Sequence, residues 1–123
     1  MVERAGDACE YCRLPQSAAP FLTFHIEHVQ AQQHVLDDSL DNLALACPDC
    51  NRHKGPNLTT LSEDRTIVCL FHPRLHLWCE HFQFQGPLIL GKSEIGTATV
   101  RLLQMNGSER VMLRAKLISL GEM

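Results

Sequence analysis

Four of the six cysteines in this chain fall as Cys9-x-x-Cys12 and Cys47-x-x-Cys50. Two intervening residues let both sulfurs of a tight turn point at one ion, and two such knuckles supply the four thiolates that a tetrahedral Zn²⁺ takes. Zinc closed off by four cysteines has no open coordination position, so its work there would be to hold the fold. Between the knuckles, "FHIEHV" (Phe24 to Val29) places His25, Glu27 and His28 within four residues. A metal site, a catalytic base and a strand with a polar wet face all fit that hexapeptide when it is taken alone.

The elements around these residues narrow their geometry. "SAAPFLTFHIEHV" passes from a loop with Pro20 into an extended run. In a regular strand Leu22, Phe24, Ile26 and His28 share one face, and Thr23, His25 and Glu27 share the other. Glu27 and His28 could then join in one site only where the strand bends or bulges. A polar connector, "QAQQHVLDDSLDN", leads to "LALACPDCNRHKG", which reads as a short apolar strand, the second knuckle and a helix ending near Gly55-Pro56. Beyond it, "RTIVCLF" and "HFQFQGPLIL" have strand composition and are broken by Pro73 and by Gly86-Pro87. "IGTATVRLLQM" has helical spacing, and the last segment opens with Asn106 three before Glu109, in the manner of a capping box, and stops at Gly121.

Composition sets outer bounds. A length of 123 residues suits one domain with a modest core, and no apolar run approaches the ~20 residues of a membrane-spanning helix. The N-terminus lacks the apolar core of a signal peptide, so a cytoplasmic location is expected. A formal net charge of −3 argues against a surface that binds polyanions everywhere, although positive charge gathers in "NRHKGP" and "ERVMLRAK".

Taken in order, CEYC, IEHV and DNLALACPDCNRHKG resemble the HNH endonuclease family, over roughly Cys9 to Leu58. The resemblance implies an α+β fold: a zinc-stapled ββα-metal (HNH, or His-Me finger) core over residues 8–58. A C-terminal extension of strands and then two helices, residues 59–123, would pack on it within a single domain. It implies Cys9, Cys12, Cys47 and Cys50 as structural Zn²⁺ ligands, Glu27 and Asn51 as ligands of a catalytic Mg²⁺ or Mn²⁺, His28 as general base, and Asn42 as the residue that fixes the loop and helps orient that histidine. The family more often has Asp or His at the position of Glu27 and His at that of Asn51. Arg52 and Lys54 are candidates for contact with a phosphate. The second half, with KGPNL, LFHPR, WCEHF and IGTATVRLL, is similar to a subgroup of small bacterial stand-alone HNH proteins.

The chemistry is coherent without the family name. Hydrolysing a phosphodiester requires a water to lose a proton as it attacks, and a neutral imidazole, with an ordinary pKa of about 6.5, takes it at cellular pH. A hard cation bound by a carboxylate and an amide oxygen offsets charge on the phosphate and the leaving oxygen. The expected activity is metal-dependent cleavage of DNA, with RNA not excluded. Nicking is the default for one site per chain, and oligomeric state is left open. The alternative is an inactive zinc-stapled module that binds nucleic acid or protein. In "CLFHPRLHLWCEH", Cys69, His72, His76 and Cys79 could be written as a second metal site, but buried thiols and surface or hydrogen-bonded histidines are the plainer reading. His25 and His53 are expected to stay outside the site, and Arg74 to meet a carboxylate sooner than a phosphate.

Overall fold

The computed structural model describes residues 7–29 and 42–123. Most of the polar connector, residues 30–41, lies outside them. Within the described residues the strands form three antiparallel hairpins: β1 (His25–His28) with β2 (Leu43–Ala46), β3 (Thr59–Leu61) with β4 (Ile67–Cys69), and β5 (Phe82–Gln85) with β6 (Leu88–Gly91). The helices are α1 (Pro48–Lys54), the single turn α2 (Trp78–His81), α3 (Glu94–Leu102) and α4 (Ser108–Ser119). No helix among these residues is long and apolar enough to cross a membrane. The fold is α+β, with four clustered cysteines in the first half, consistent with a ββα-metal module.

Helix α1 starts where the second knuckle makes it start. Cys47 is its N-cap, with Sγ accepting from the Cys50 amide at 3.5 Å, and Pro48 follows at the position where a missing N–H costs nothing. It stops at Gly55, whose φ of +53° suits a residue without a side chain. Asp49 in the first turn and Arg52, His53 and Lys54 in the last complement the helix dipole.

The β5–β6 hairpin turns through Gly86 at φ +57° and Pro87, the glycine-first pattern of a type II′ loop. Helix α3 then packs back against β6 and against β3, β4 and α2. That approach is close: a Cβ on Gly96 would lie 1.9 Å from the His81 carbonyl oxygen. Ser93 caps α3 by accepting from the Gly96 amide at 3.0 Å, and its Oγ also meets His81 Nδ1 at 2.6 Å.

Asn106 departs from the expected capping box. Helix α4 begins at Gly107 with no side-chain cap, and Asn106 instead pairs with the backbone of Ile89, accepting from its N–H at 2.9 Å and donating to its C=O at 2.8 Å. Its amide matches both groups of a strand residue, so capping would leave the Ile89 pair to find other partners. At the far end Gly121 takes φ +74° and the Glu122 amide returns to the Leu117 carbonyl, closing α4 where the glycine foretold.

One buried cluster takes side chains from both halves. Cys9, Tyr11, Cys12, Leu14, Val29, Ala44, Ala46, Cys47 and Cys50 meet Phe71, Phe82, Ile89, Leu103, Met105 and Leu117. Phe71 bridges them, edge-on to Tyr11 at 6.4 Å and to Phe82 at 5.1 Å between ring centroids. Trp78 adds a polar tie, its indole N–H donating to the Tyr11 carbonyl at 2.7 Å.

Candidate functional site

The two knuckles converge. The sulfurs of Cys9, Cys12, Cys47 and Cys50 lie within 4.8 Å of one another, all buried, and Cys12 Sγ is 3.7 Å from Cys47 Sγ. Tetrahedral thiolates at about 2.3 Å from zinc stand about 3.8 Å apart, so the cluster is compatible with a structural Zn²⁺. The electrostatics agree. Four thiolates buried together repel one another and lose their solvation, so their joint presence calls for a cation among them.

Backbone contacts set the first knuckle on the hairpin. The Glu10 amide donates to the Leu45 carbonyl at 2.9 Å, and Glu10 Oε2 accepts from the Leu45 amide at 2.7 Å. The other oxygen of Glu10 pairs with Arg74, the arginine of "LFHPR", which therefore meets a carboxylate as expected. A charge from the second half is thus spent on orienting the first knuckle.

Strand β1 is more regular than its chemistry suggested. It pairs residue for residue with β2, from His25↔Ala46 through Glu27↔Ala44 to His28↔Leu43, so the expected bulge between Glu27 and His28 is not there. Glu27 is buried at 8% exposure, His28 is half-buried, and Ile26 is 54% exposed. An acidic residue is inside and an isoleucine outside because polar partners await the carboxylate. Tyr11, from within the first knuckle, donates its hydroxyl to Glu27 Oε1, and Lys54 Nζ from α1 stands 3.9 Å from the same oxygen. Burial raises the Glu27 pKa, with Lys54, the Tyr11 hydroxyl and His28 pulling the other way.

Lys54 is a departure from the phosphate role considered for it. It is 1% exposed, donates to the Val29 carbonyl at 2.9 Å, and has its pKa lowered by burial against the pull of Glu27. Three residues after Asn51 places it on the inward side of α1, where it neutralises Glu27 instead of meeting solvent. Arg52 does reach the surface, with 72% of its side chain exposed, and donates to Asp49 at 3.1 Å.

The remaining positions fall around this hairpin. Asn42 is buried just before β2, and its carbonyl accepts from the Val29 amide at 2.8 Å, which ties the strand ends together beside His28. Asn51 is half-buried on α1, and its carbonyl receives the Gly55 amide that ends the helix. His25 is exposed, and His53 contacts Arg52 at 3.4 Å.

Sequence reasoning missed Tyr11 and Arg110. Tyr11 is the partner of Glu27, and Arg110 reaches the cysteine cluster from α4, donating to Cys50 Sγ at 2.9 Å. A tyrosine between two metal-type cysteines was the available signal for the first. Arg110 lies 60 residues from Cys50 and had none.

The second metal site does not form. Among the described residues the four-cysteine cluster is the one such group of three or more potential ligands. Cys69 and Cys79 are exposed, not buried as expected; β4 turns Val68 inward and leaves Ile67 and Cys69 on its outer face. His76 Nδ1 accepts from the His72 amide at 2.9 Å, and His72 Nδ1 from the Arg74 amide at 3.1 Å, so both rings serve the turn around Pro73.

No curated protein and no solved structure matches the chain. Residues 9–57 match a family model described as HNH endonuclease, and the match begins at the first zinc-type cysteine, spans β1, β2 and α1, and ends just past Gly55. The two knuckles closed over a hairpin and a helix thus coincide with the segment that is similar to the HNH endonuclease family.

Proposed function

We propose that the protein is a metal-dependent endonuclease that hydrolyses DNA phosphodiester bonds, nicking one strand at a time. The observation that carries this reading is His28 itself: a half-buried imidazole at the exit of β1, one residue after the buried Glu27 in sequence, inside the segment that matches the nuclease family. His28 takes a proton from the attacking water; the water oxygen bonds to phosphorus as the phosphorus–oxygen bond to the leaving nucleotide breaks. Asn42, buried at the base of β2, holds the strand end from which His28 projects. Arg52 is the exposed cation of α1 and offers its charge to a neighbouring phosphate.

Glu27 and Asn51 form a small hard-donor set that fits Mg²⁺ or Mn²⁺. The Tyr11 and Lys54 contacts both fall on Glu27 Oε1, so Oε2 is the oxygen that would be offered to an ion, with Asn51 as the second donor implied by the family resemblance. When bound, the cation supplies charge stabilisation at the phosphate and the leaving oxygen. The four-cysteine cluster would hold Zn²⁺ as a fold-stabilising ion outside the chemistry.

A second reading, an inactive zinc-stapled binding module, draws on a specific observation. Glu27 is already neutralised by Lys54 and faces away from His28 along a regular strand. One experiment separates the two: supercoiled plasmid incubated with the protein and Mg²⁺, Mn²⁺ or EDTA, beside His28→Ala. The nuclease reading expects open-circular product with a divalent ion, none with EDTA, and a loss of about 100-fold or more in the variant. Cleavage that persists in His28→Ala removes the proposed base, and no cleavage by the wild type with either ion favours the binding module.

A further inference from the structure

The N-terminal turn of α4 lies over the second knuckle and brings one side chain directly onto its sulfurs. Arg110 Nη2 is 2.9 Å from Cys50 Sγ and 3.7 Å from Cys47 Sγ. The guanidinium is held from its other sides as well. Nη1 donates to the carbonyls of Leu103 at 2.6 Å and Gln104 at 3.1 Å, and Nε stands 3.9 Å from Asp49 Oδ2. With 12% of its side chain exposed and each nitrogen engaged, Arg110 cannot swing away to solvent without breaking several contacts at once.

Arg114, one helical turn on, is 2% exposed and is fixed by the carbonyls of Pro87 and Met105 and by Asn106. Four thiolates around a divalent ion leave two negative charges in a buried site, which is costly unless opposite charge is close. Arg110 supplies positive charge at hydrogen-bond distance from the cluster.

We propose that Arg110 is the built-in counter-charge of the metal-loaded four-cysteine centre, and that its N–H···S bonds to Cys50 and Cys47 make those thiolates less nucleophilic and the ion slower to leave. The proposal rests on the zinc assignment above. A hydrogen bond from a cation withdraws electron density from a metal-bound thiolate, and partners of this kind typically change metal retention by about 10–100-fold. The C-terminal helix would thereby guard a metal bound by the N-terminal half.

The test begins with metal content of the full-length chain by elemental analysis, which judges the zinc assignment by itself; a chain purified without zinc and unable to take it up overturns both readings. On the zinc-loaded protein, N-ethylmaleimide is added and released zinc is followed with a chromogenic chelator. In the reaction a sulfur–carbon bond forms, the zinc–sulfur bond breaks, and the maleimide carbanion takes a proton from water. Arg110→Met is expected to release zinc about tenfold faster or more, and Arg110→Lys, which keeps the charge without the fork, to fall between. Release within twofold of wild type in Arg110→Met overturns the proposal.

Charge-transfer bands of the cobalt-substituted protein add a readout that a merely structural arginine would not move. They are expected to shift to lower energy in Arg110→Met, and unchanged bands count against the proposal. Should that variant not fold, the wild type decides alone. Pulsed alkylation read by peptide mass spectrometry is expected to modify Cys9 and Cys12 before Cys47 and Cys50, and the reverse order overturns the assignment.

Discussion

Removing the ammonium of Lys54 by Lys54→Met tests how the buried pair at the centre of the module is held. Lys54 and Glu27 are 1% and 8% exposed, 3.9 Å apart, in the interior between α1 and β1. Deleting one partner of such a pair leaves the other charge unpaired in a low-dielectric setting and costs ~3–5 kcal/mol. The Val29 carbonyl also loses its 2.9 Å bond from Lys54, and an orphaned buried acceptor costs ~1–3 kcal/mol, part of which the pair figure already contains. A loss of about 4 kcal/mol is therefore expected, measured by urea unfolding of the zinc-loaded protein.

The double variant Glu27→Gln/Lys54→Met should recover most of that loss, because no lone charge remains and Tyr11 still has an oxygen to meet. pH supplies a second check. Burial raises the Glu27 pKa, and Lys54 is the largest influence opposing that rise. A carboxylate with a raised folded-state pKa contributes stability that is fully present below its unfolded value and is lost as pH rises through the folded one. The deficit of Lys54→Met relative to wild type should accordingly grow from about pH 5 towards pH 7 and shrink on acidification, with both proteins compared in the same buffer so that metal loss cancels. A loss under about 1 kcal/mol at pH 7, or a deficit that grows on acidification, would refute the account of Lys54 as the internal partner of Glu27.

Two further outcomes follow from the packing. Cys9→Ala or Cys47→Ala, like stripping the wild type with a strong chelator, should abolish the cooperative thermal transition followed by circular dichroism together with zinc stoichiometry; a variant that kept both would remove the zinc assignment. Gly96→Ala should cost ~1–3 kcal/mol or more in urea unfolding, because the new methyl meets the His81 backbone oxygen at 1.9 Å and α3 must shift; a change within about 0.5 kcal/mol would show that α3 and α2 do not approach so closely.

What was legible in the sequence was local. The knuckles declare themselves because sulfur geometry fixes their internal spacing, and α1 because Pro48 and Gly55 mark its ends. Gly86-Pro87 and Gly121 were readable for the same reason, since each position needs a backbone geometry that few residues offer. Glu27, His28, Asn42 and Asn51 could be picked out by order along the chain, but not the direction in which each side chain points. Period-two alternation assigned Ile26 and Glu27 to faces without saying which face is wet, and hydrophobicity alone would have turned the isoleucine inward.

The errors share a physical cause. Apart from the exposed Cys69 and Cys79, each concerned a polar group whose partner lies far away in the chain, and such partners decide burial more firmly than local propensity does. Glu27 is inside because Tyr11 and Lys54 come from two other elements to meet it; Asn106 leaves its cap because the backbone of Ile89 offers both a donor and an acceptor. Arg110 looks in sequence like a surface charge available to a polyanion and is spent internally on the cysteine cluster, as Arg74 is, in line with expectation, on Glu10. Positive charge therefore cannot be added up along this chain to locate a nucleic-acid face. Of the cations in "NRHKGP", Lys54 is consumed within the fold, which leaves Arg52 as the residue of that run whose charge meets solvent; on the proposed nuclease reading, Arg52→Ala should weaken DNA binding in a gel-shift assay without lowering stability.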